Sequence, residues 1–250
     1  MIFILAAGSL ALRRILFYMG EGTLQNILRR TIQEPMMCIG GGFHGIFIST
    51  LLGNALWFLG IHGGNLTYSL HASVYQIIKN ENISAFLNGI PAPHPEWFMN
   101  AFIAIGGMGC TFALNLLMLF KARSRKLKAL GKISITTSIF QINEPIILGF
   151  PIVGNPLMIV PFVLCPCVNL LLSWYFMVYV GLIAPPSGNF TGFYLPFGIY
   201  GFVTTGHIGG LVWSLVLLIL NVFIYYPFFR IYDMRICQME EEEYAVSENC

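Results

Sequence analysis

The most conspicuous residue for chemistry in this sequence is Glu144. It is the only charged residue between residues 133 and 229. An ionisable side chain inside so apolar a stretch is costly to bury in a membrane, and it is by default a candidate for function. The alternative is a structural carboxylate that accepts backbone hydrogen bonds from a broken helix or remains protonated.

His62 is the second candidate because glycines flank it on both sides, in residues 60–64. Glycine lets the backbone break or approach a neighbour closely, as binding segments often require. The alternative is a histidine at the membrane interface with no special role. His44 and His207 also lie in glycine-containing apolar surroundings, and we interpret both as structural.

The composition indicates that lipid is the solvent around these residues. Of the 250 residues, 56% are hydrophobic and only 10% are charged, whereas soluble domains carry about 25% charged residues. A chain this apolar has too little polar surface for a water-facing shell. We therefore expect a multi-pass protein of the cell membrane, with the lipid bilayer as its surroundings.

The positive charge is concentrated in residues 121–132, which follow an apolar run directly. Such clusters mark the cytoplasmic ends of transmembrane helices. Arg230 and Arg235 place the C-terminus on the same side. A nucleic-acid partner is not expected, because the cluster lies between two apolar segments and contains no interleaved aromatic residues.

The hydrophobic pattern predicts several helices and one long loop. Residues 1–19 form a first, partial transmembrane segment, and Thr23 begins a short amphipathic helix at the membrane interface that runs to Glu34. Residues 66–96 are polar enough to predict an extramembrane loop with a short helix at most. The remaining apolar stretches predict helices over residues 36–61, 97–120, 157–183 and 211–229.

Two zones of the apolar C-terminal half are broken by prolines and glycines. Prolines recur every five or six residues from Pro145 to Pro166, and a second zone covers residues 185–210. Irregular backbone survives at membrane depth only where protein or a wet cavity surrounds it, and paired broken segments typically surround a transporter's binding site. The predicted fold is an all-α membrane protein with polytopic transmembrane helices and two re-entrant or broken hairpins.

The domain organisation follows from these segments. Residues 1–19 are the partial or first transmembrane segment, residues 20–239 form a transport domain, and residues 240–250 form an acidic cytoplasmic tail that we expect to be solvated. Most of the six cysteines lie in apolar segments, where cysteine behaves as a small hydrophobe. We therefore expect no disulfide framework, no metal site and no cofactor.

Four segments of the chain carry a recognisable pattern. The most specific is FQINEPIILGFPIV, residues 140–153, followed by Asn155-Pro156. The other three are residues 56–63 (LWFLGIHG), residues 122–132 (ARSRKLKALGK) and residues 225–230 (YYPFFR). Together, in this order, they resemble the membrane component (enzyme IIC) of the lactose/cellobiose/diacetylchitobiose phosphotransferase family.

The resemblance implies a concrete function. Such a permease translocates a β-linked, cellobiose-like disaccharide and presents its 6-hydroxyl to the phosphocysteine of a partner, enzyme IIB. Glu144 corresponds to the carboxylate that binds the 6-hydroxyl, His62 is the histidine beside it, and Asn143 adjoins the site. We also assign Trp57 and Asn65 to the substrate site, since a tryptophan ring could stack on a sugar. The chemistry would be shared with enzyme IIB, so we leave open whether this chain counts as an enzyme.

The family also carries N-terminal transmembrane helices that form a dimer interface. We expect this chain to represent the C-terminal transport domain without that dimerisation half. Two other functions stay open on the sequence. One is an ion-coupled secondary sugar transporter with Glu144 as the coupling carboxylate, and the other is an inactive, truncated membrane scaffold.

Overall fold

The computed structural model describes residues 42–186 and 195–248. Within these ranges the chain is all helical, without strands, which confirms the predicted fold class. Residues 1–19 and the interfacial helix predicted from Thr23 lie outside the described residues. The α-helices are α1 (Phe43–Ala55), α2 (Gly63–Leu87), α3 (Asn100–Ile103), α4 (Thr111–Lys121), α5 (Arg125–Ile139), α6 (Glu144–Gly149), α7 (Ile159–Val178), α8 (Ile199–Thr205) and α9 (Ile208–Glu248).

Three helical stretches in the described ranges are long and apolar enough to cross a membrane. They are Asn100–Lys121, Ile159–Val178 and Ile208–Glu243, and a shorter apolar helical stretch covers Phe43–Leu59. Helices α4, α7 and α9 pack around one buried core. Its fully buried members include Leu114, Phe162 and Tyr225.

The predicted loop at residues 66–96 is wrong for most of its length, because α2 continues to Leu87. The segment contains no glycine or proline between residues 66 and 87, so its backbone has no reason to break even though many side chains are polar. The helix ends where Gly89 adopts a φ of 68°, a left-handed conformation typical of helix C-termini.

The helix predicted over residues 97–120 corresponds to the membrane-spanning stretch Asn100–Lys121, but it is interrupted rather than continuous. A short 3₁₀ turn at Pro95–Phe98 and the single turn of α3 lead into an irregular segment, and a second 3₁₀ turn at Met108–Cys110 precedes α4. We call residues 104–110 the break. Hydropathy over a window of this length does not register a few glycines, so the apolar composition concealed the interruption.

The last helix is longer than predicted. Residues 211–229 were expected to be helical, but α9 runs from Ile208 through Pro227 to Glu248. Residues 240–248 therefore continue α9. Glu240 is only 8% exposed, whereas Glu241, Glu242 and Glu243 are exposed, as expected of the acidic end. Two acidic residues in this part of α9, Asp233 and Glu240, have partners on another element.

Those partners are the backbone N–H groups at the start of α5. Asp233 accepts hydrogen bonds from the N–H groups of Arg123 and Ser124 at 2.9 and 3.0 Å. Glu240 accepts from the Ser124 hydroxyl at 2.7 Å and from the Lys126 N–H at 2.9 Å. The first N–H groups of a helix have no partner within the helix and carry partial positive charge, so two carboxylates stabilise this end. We call this arrangement the carboxylate clamp.

We predict that Glu240→Ala lowers the free energy of unfolding by about 1.5–3 kcal/mol, the usual worth of a hydrogen bond to a charged group. Glu242→Ala is the matched control: Glu242 is exposed on the same helix, and its loss should change stability by less than about 0.5 kcal/mol. Thermal unfolding in detergent measures both. Equal stability of the two variants would contradict the clamp.

Candidate functional site

The break places unpaired backbone groups inside the apolar core. Gly106, Gly107 and Gly109 have φ values of 76°, 92° and 72°, and Cys110 is also left-handed at 55°. Backbone N–H and C=O groups that leave a helix at membrane depth need new partners, because lipid offers none. Side chains from several other elements supply them.

Several hydrogen bonds from other elements tie the break to its surroundings, among them three that involve nearly buried side chains. Asn54 of α1 accepts from the Gly109 N–H at 2.9 Å, and Tyr225 of α9 donates its hydroxyl proton to the Gly109 carbonyl at 2.6 Å. Asn143 donates from Nδ2 to the Met108 carbonyl at 2.7 Å. Each of these side chains is almost completely buried. The break is therefore a defined structure that holds three distant parts of the chain together.

Glu144 is positioned by this network. Gln141 accepts from the Gly106 N–H at 2.5 Å, so both Gln141 and Asn143 attach the loop before α6 to the break. Glu144 is the first residue of α6, and Pro145 follows it at a position where a missing N–H costs nothing. Asn143, which is 5% exposed, thus fixes the backbone that carries Glu144.

His62 caps the N-terminus of α2. Its Nδ1 accepts from the Asn65 N–H at 3.2 Å, so the neutral imidazole carries its proton on Nε2. The Trp57 ring lies 4.8 Å from the imidazole between centroids and donates from its indole N–H to the Met108 sulfur at 3.2 Å. The indole therefore holds His62 against the break.

Glycine is required where α2 begins, since a Cβ on Gly63 would overlap the Gly53 carbonyl of α1. This close approach seats His62 at the junction of the two helices. The same turn is joined to the loop after α6, because the Gly154 N–H donates to the Phe58 carbonyl at 3.0 Å. Residues 56–63 and 140–155, the two most distinctive segments of the sequence, are therefore neighbours in space.

A cavity of about 400 Å³ lies where these segments meet. Its size falls in the range of roughly 300–1,000 Å³ that is typical of small-molecule sites. His62, Asn65, Asn143 and Glu144 line it, so four of the five residues predicted for the site come together. The fifth, Trp57, is 8% exposed and is not among the lining residues; it supports His62 from behind.

The cavity wall also includes residues that sequence reasoning missed. They supply hydroxyl, amide, carboxylate and aromatic groups, and they include Ser49, Thr50, Asn54, Tyr68, Tyr75, Glu96, Trp97, Asn100, Gln141 and Tyr200. A polar residue in an apolar helix, as at Asn54, was an available signal. The sequence offered no such signal for Glu96, because residues 66–96, which include it, were interpreted as a loop outside the membrane.

The two histidines interpreted as structural do not line this cavity. His207 accepts from the Gly209 N–H at 3.2 Å, within the turn before α9. His44 is exposed on α1 and lies edge-on to the Phe43 ring. Of these three histidines, His62 is therefore the one that lines the cavity.

An interrupted helix, a cavity with polar side chains in its wall and helices apolar enough to cross a membrane form an arrangement typical of membrane transporters. The chain matches the family model "Phosphotransferase system, EIIC" over residues 1–166. It therefore belongs to the EIIC family of the phosphotransferase system, which confirms the resemblance noted in the sequence.

Individual relatives agree with this assignment. The chain is 37% identical over 230 residues to the cellobiose-specific EIIC component of Geobacillus stearothermophilus, a match that covers 90% of this chain and 51% of the relative. It is 34% identical over 223 residues to the lichenan permease IIC component of Bacillus subtilis, covering 88% of this chain and 49% of the relative. The chain thus spans about half the length of the curated relatives it matches.

The fold agrees with a solved transporter as well. The crystal structure of ChbC, the IIC component of the N,N'-diacetylchitobiose-specific phosphotransferase system, matches with a TM-score of 0.77 and 33% sequence identity. The match covers 96% of this chain and 56% of that one.

We predict that Gly107→Ala disrupts the site. Its φ of 92° and ψ of −171° suit glycine almost exclusively, and a Cβ would lie 2.5 Å from Cγ of Asn143. The strain costs about 1–3 kcal/mol, and the overlap adds about 1–3 kcal/mol. The melting temperature in detergent should fall accordingly.

Gly154→Ala is the matched control. Gly154 also has a positive φ, 69°, but a Cβ there meets nothing within 4 Å, so only backbone strain remains. Equal losses of melting temperature in the two variants would show that the contact with Asn143 is unimportant.

Proposed function

We propose that this chain is the sugar-binding, sugar-translocating part of a phosphotransferase permease for a β-linked, cellobiose-like disaccharide. The names of its relatives specify cellobiose, lichenan and N,N'-diacetylchitobiose. The cavity suits such a ligand, because its hydroxyl and amide groups match sugar hydroxyls and its aromatic rings match the apolar faces of sugar rings.

The observation that carries the proposal is the meeting of Glu144 and His62 in one cavity. In the proposed reaction the sugar's 6-hydroxyl oxygen attacks the phosphorus of the phosphocysteine on enzyme IIB. The new O–P bond forms as the P–S bond breaks, and the electron pair of that bond leaves with the cysteine sulfur. Glu144 orients the hydroxyl and accepts its proton, while the Nε2–H of His62 balances charge on the incoming phosphoryl group.

Enzyme IIB is the proposed partner, and the surface around residues 121–132 is its proposed docking side. The carboxylate clamp joins this segment to Asp233 and Glu240, so the basic cluster and the C-terminal end of α9 lie on one side of the protein. Lys128 and Lys132 are exposed there. The positive-inside rule assigns that side to the cytoplasm, where the phosphorylated partner resides.

The central test is Glu144→Gln. The amide keeps the volume of the side chain but loses its charge and its capacity to accept the proton. We expect sugar phosphorylation to fall by a factor of about 10² to 10⁴, with a smaller loss of disaccharide affinity, since the amide still forms hydrogen bonds. The assay uses the chain in vesicles, alone or with the N-terminal half of a relative, and supplies phosphorylated enzyme IIB.

His62→Ala should also reduce turnover, and its effect should not add to that of Glu144→Gln if both act on one hydroxyl. His207→Ala is the matched control, because His207 is an exposed histidine outside the cavity. Near-normal phosphorylation by Glu144→Gln would remove this carboxylate from the mechanism. Accumulation of free sugar driven by an ion gradient would instead support a secondary transporter, and no uptake at all would support a scaffold.

The proposed orientation is tested separately. Single cysteines at Ala129 and Gln238, both exposed positions, in a background without the six native cysteines, should resist impermeant thiol reagents in intact cells. Both should react after the membrane is permeabilised. Ready labelling of either site in intact cells would contradict the proposed orientation and show that the proposed docking side does not face the cytoplasm.

A further inference from the structure

Glu96 is a second carboxylate on the cavity wall, and the phosphorylation chemistry does not use it. It follows Pro95 in the short turn before α3, its residue is 7% exposed, and it lines the same cavity as Glu144. Burying an ionised carboxylate is costly unless hydrogen bonds or a counter-charge compensate it. The surrounding residues must therefore stabilise the buried carboxylate of Glu96.

The turn that carries Glu96 is fixed to α2 through its neighbour His94. The His94 N–H donates to Oδ1 of Asn82 at 3.0 Å, and Nδ2 of Asn82 donates to the His94 carbonyl at 2.9 Å. Asn82 is completely buried. This paired contact sets the backbone one residue before Pro95, so the direction of the Glu96 side chain is determined by the fold.

The imidazole of His94 lies between two carboxylates. Its Nδ1 is 3.5 Å from an oxygen of Glu96, and its Nε2 is 3.5 Å from an oxygen of Glu81. The two carboxylates differ in solvent exposure: the Glu81 side chain is 53% exposed, whereas the Glu96 side chain is 8% exposed. Among the described residues, the basic group within 4.0 Å of Glu96 is this shared histidine. The contact with His94 is made by Oε1 of Glu96, and the Glu96 side chain also lines the cavity.

We infer that Glu96 is a second sugar-binding carboxylate of this site and that it accepts hydrogen bonds from ring hydroxyls other than the one that is phosphorylated. Charge-assisted hydrogen bonds from hydroxyls to a carboxylate are short and strong, and the adjacent Trp97 and Tyr75 offer aromatic surface for a sugar ring. The inference rests on the proposed function. Glu144 would act on the transferred group, whereas Glu96 would select sugars that present free hydroxyls to it.

The test is calorimetric binding of a β-disaccharide and its series of singly deoxygenated analogues. In the wild-type chain, removal of at least one hydroxyl other than the 6-hydroxyl should weaken binding about tenfold to a hundredfold. Glu96→Gln should weaken binding of the parent sugar to a similar degree. In that variant, removal of the same hydroxyl should cost less than about threefold, while the penalty for the 6-deoxy sugar stays unchanged.

The matched control is Glu81→Gln, which removes the other carboxylate beside His94 but does not touch the cavity. It should bind every sugar of the series as the wild type does. In phosphorylation assays Glu96→Gln should raise KM with kcat within about threefold, the mark of lost ground-state binding. If Glu96→Gln does not fold, Glu96→Asp, which withdraws the carboxylate by one methylene, is measured with the same series and the same expectation.

The outcomes separate this inference from the proposed function. A wild-type chain that binds the disaccharide but is sensitive only to loss of the 6-hydroxyl would overturn the role of Glu96 and leave the proposed function intact. An unchanged pattern of deoxy-sugar penalties in Glu96→Gln would do the same. A wild-type chain that binds no disaccharide would overturn the proposed function and this inference together.

Discussion

The rest of this structure depends on satisfying the backbone of residues 104–110 inside an apolar core. Left-handed glycines carry the chain out of the helix there, and each freed N–H or carbonyl must find a partner that lipid cannot provide. Asn54, Asn143 and Tyr225 supply partners from three separate elements. A helix interruption that would otherwise be destabilising thereby becomes the point at which the fold is joined.

The same hydrogen bonds account for the geometry of the site. Asn143 and Gln141 attach the loop that precedes Glu144, and Trp57, which donates to Met108, supports His62. Glu144 and His62 therefore reach one cavity because their neighbours bind to one short segment of backbone. The polar residues that bind the break position the site, and three of them, Asn54, Gln141 and Asn143, also line the cavity.

Carboxylates have three different roles in this chain, and their surroundings distinguish them. Asp233 and Glu240 bind the N–H groups at the start of α5 and are structural. Glu144 and Glu96 line one cavity, whose wall also includes His62, and Glu96 lies 3.5 Å from His94. Glu242 is exposed to solvent at the end of α9. Residue type alone does not distinguish these carboxylates; the surroundings of each one in the fold do.

The sequence alone determined the all-α membrane class, the family and four of the residues that line the cavity. These follow from composition, from an isolated Glu144 and from local motifs, none of which requires knowledge of distant contacts. The tertiary structure decided what depends on partners far along the chain. Composition concealed the break over residues 104–110 and the helix over Gly63–Leu87, because a few glycines hardly change mean hydropathy and polar side chains do not prevent a helix. Trp57 became a support and Glu96 a cavity residue only through packing that brings α1, α2 and α6 together.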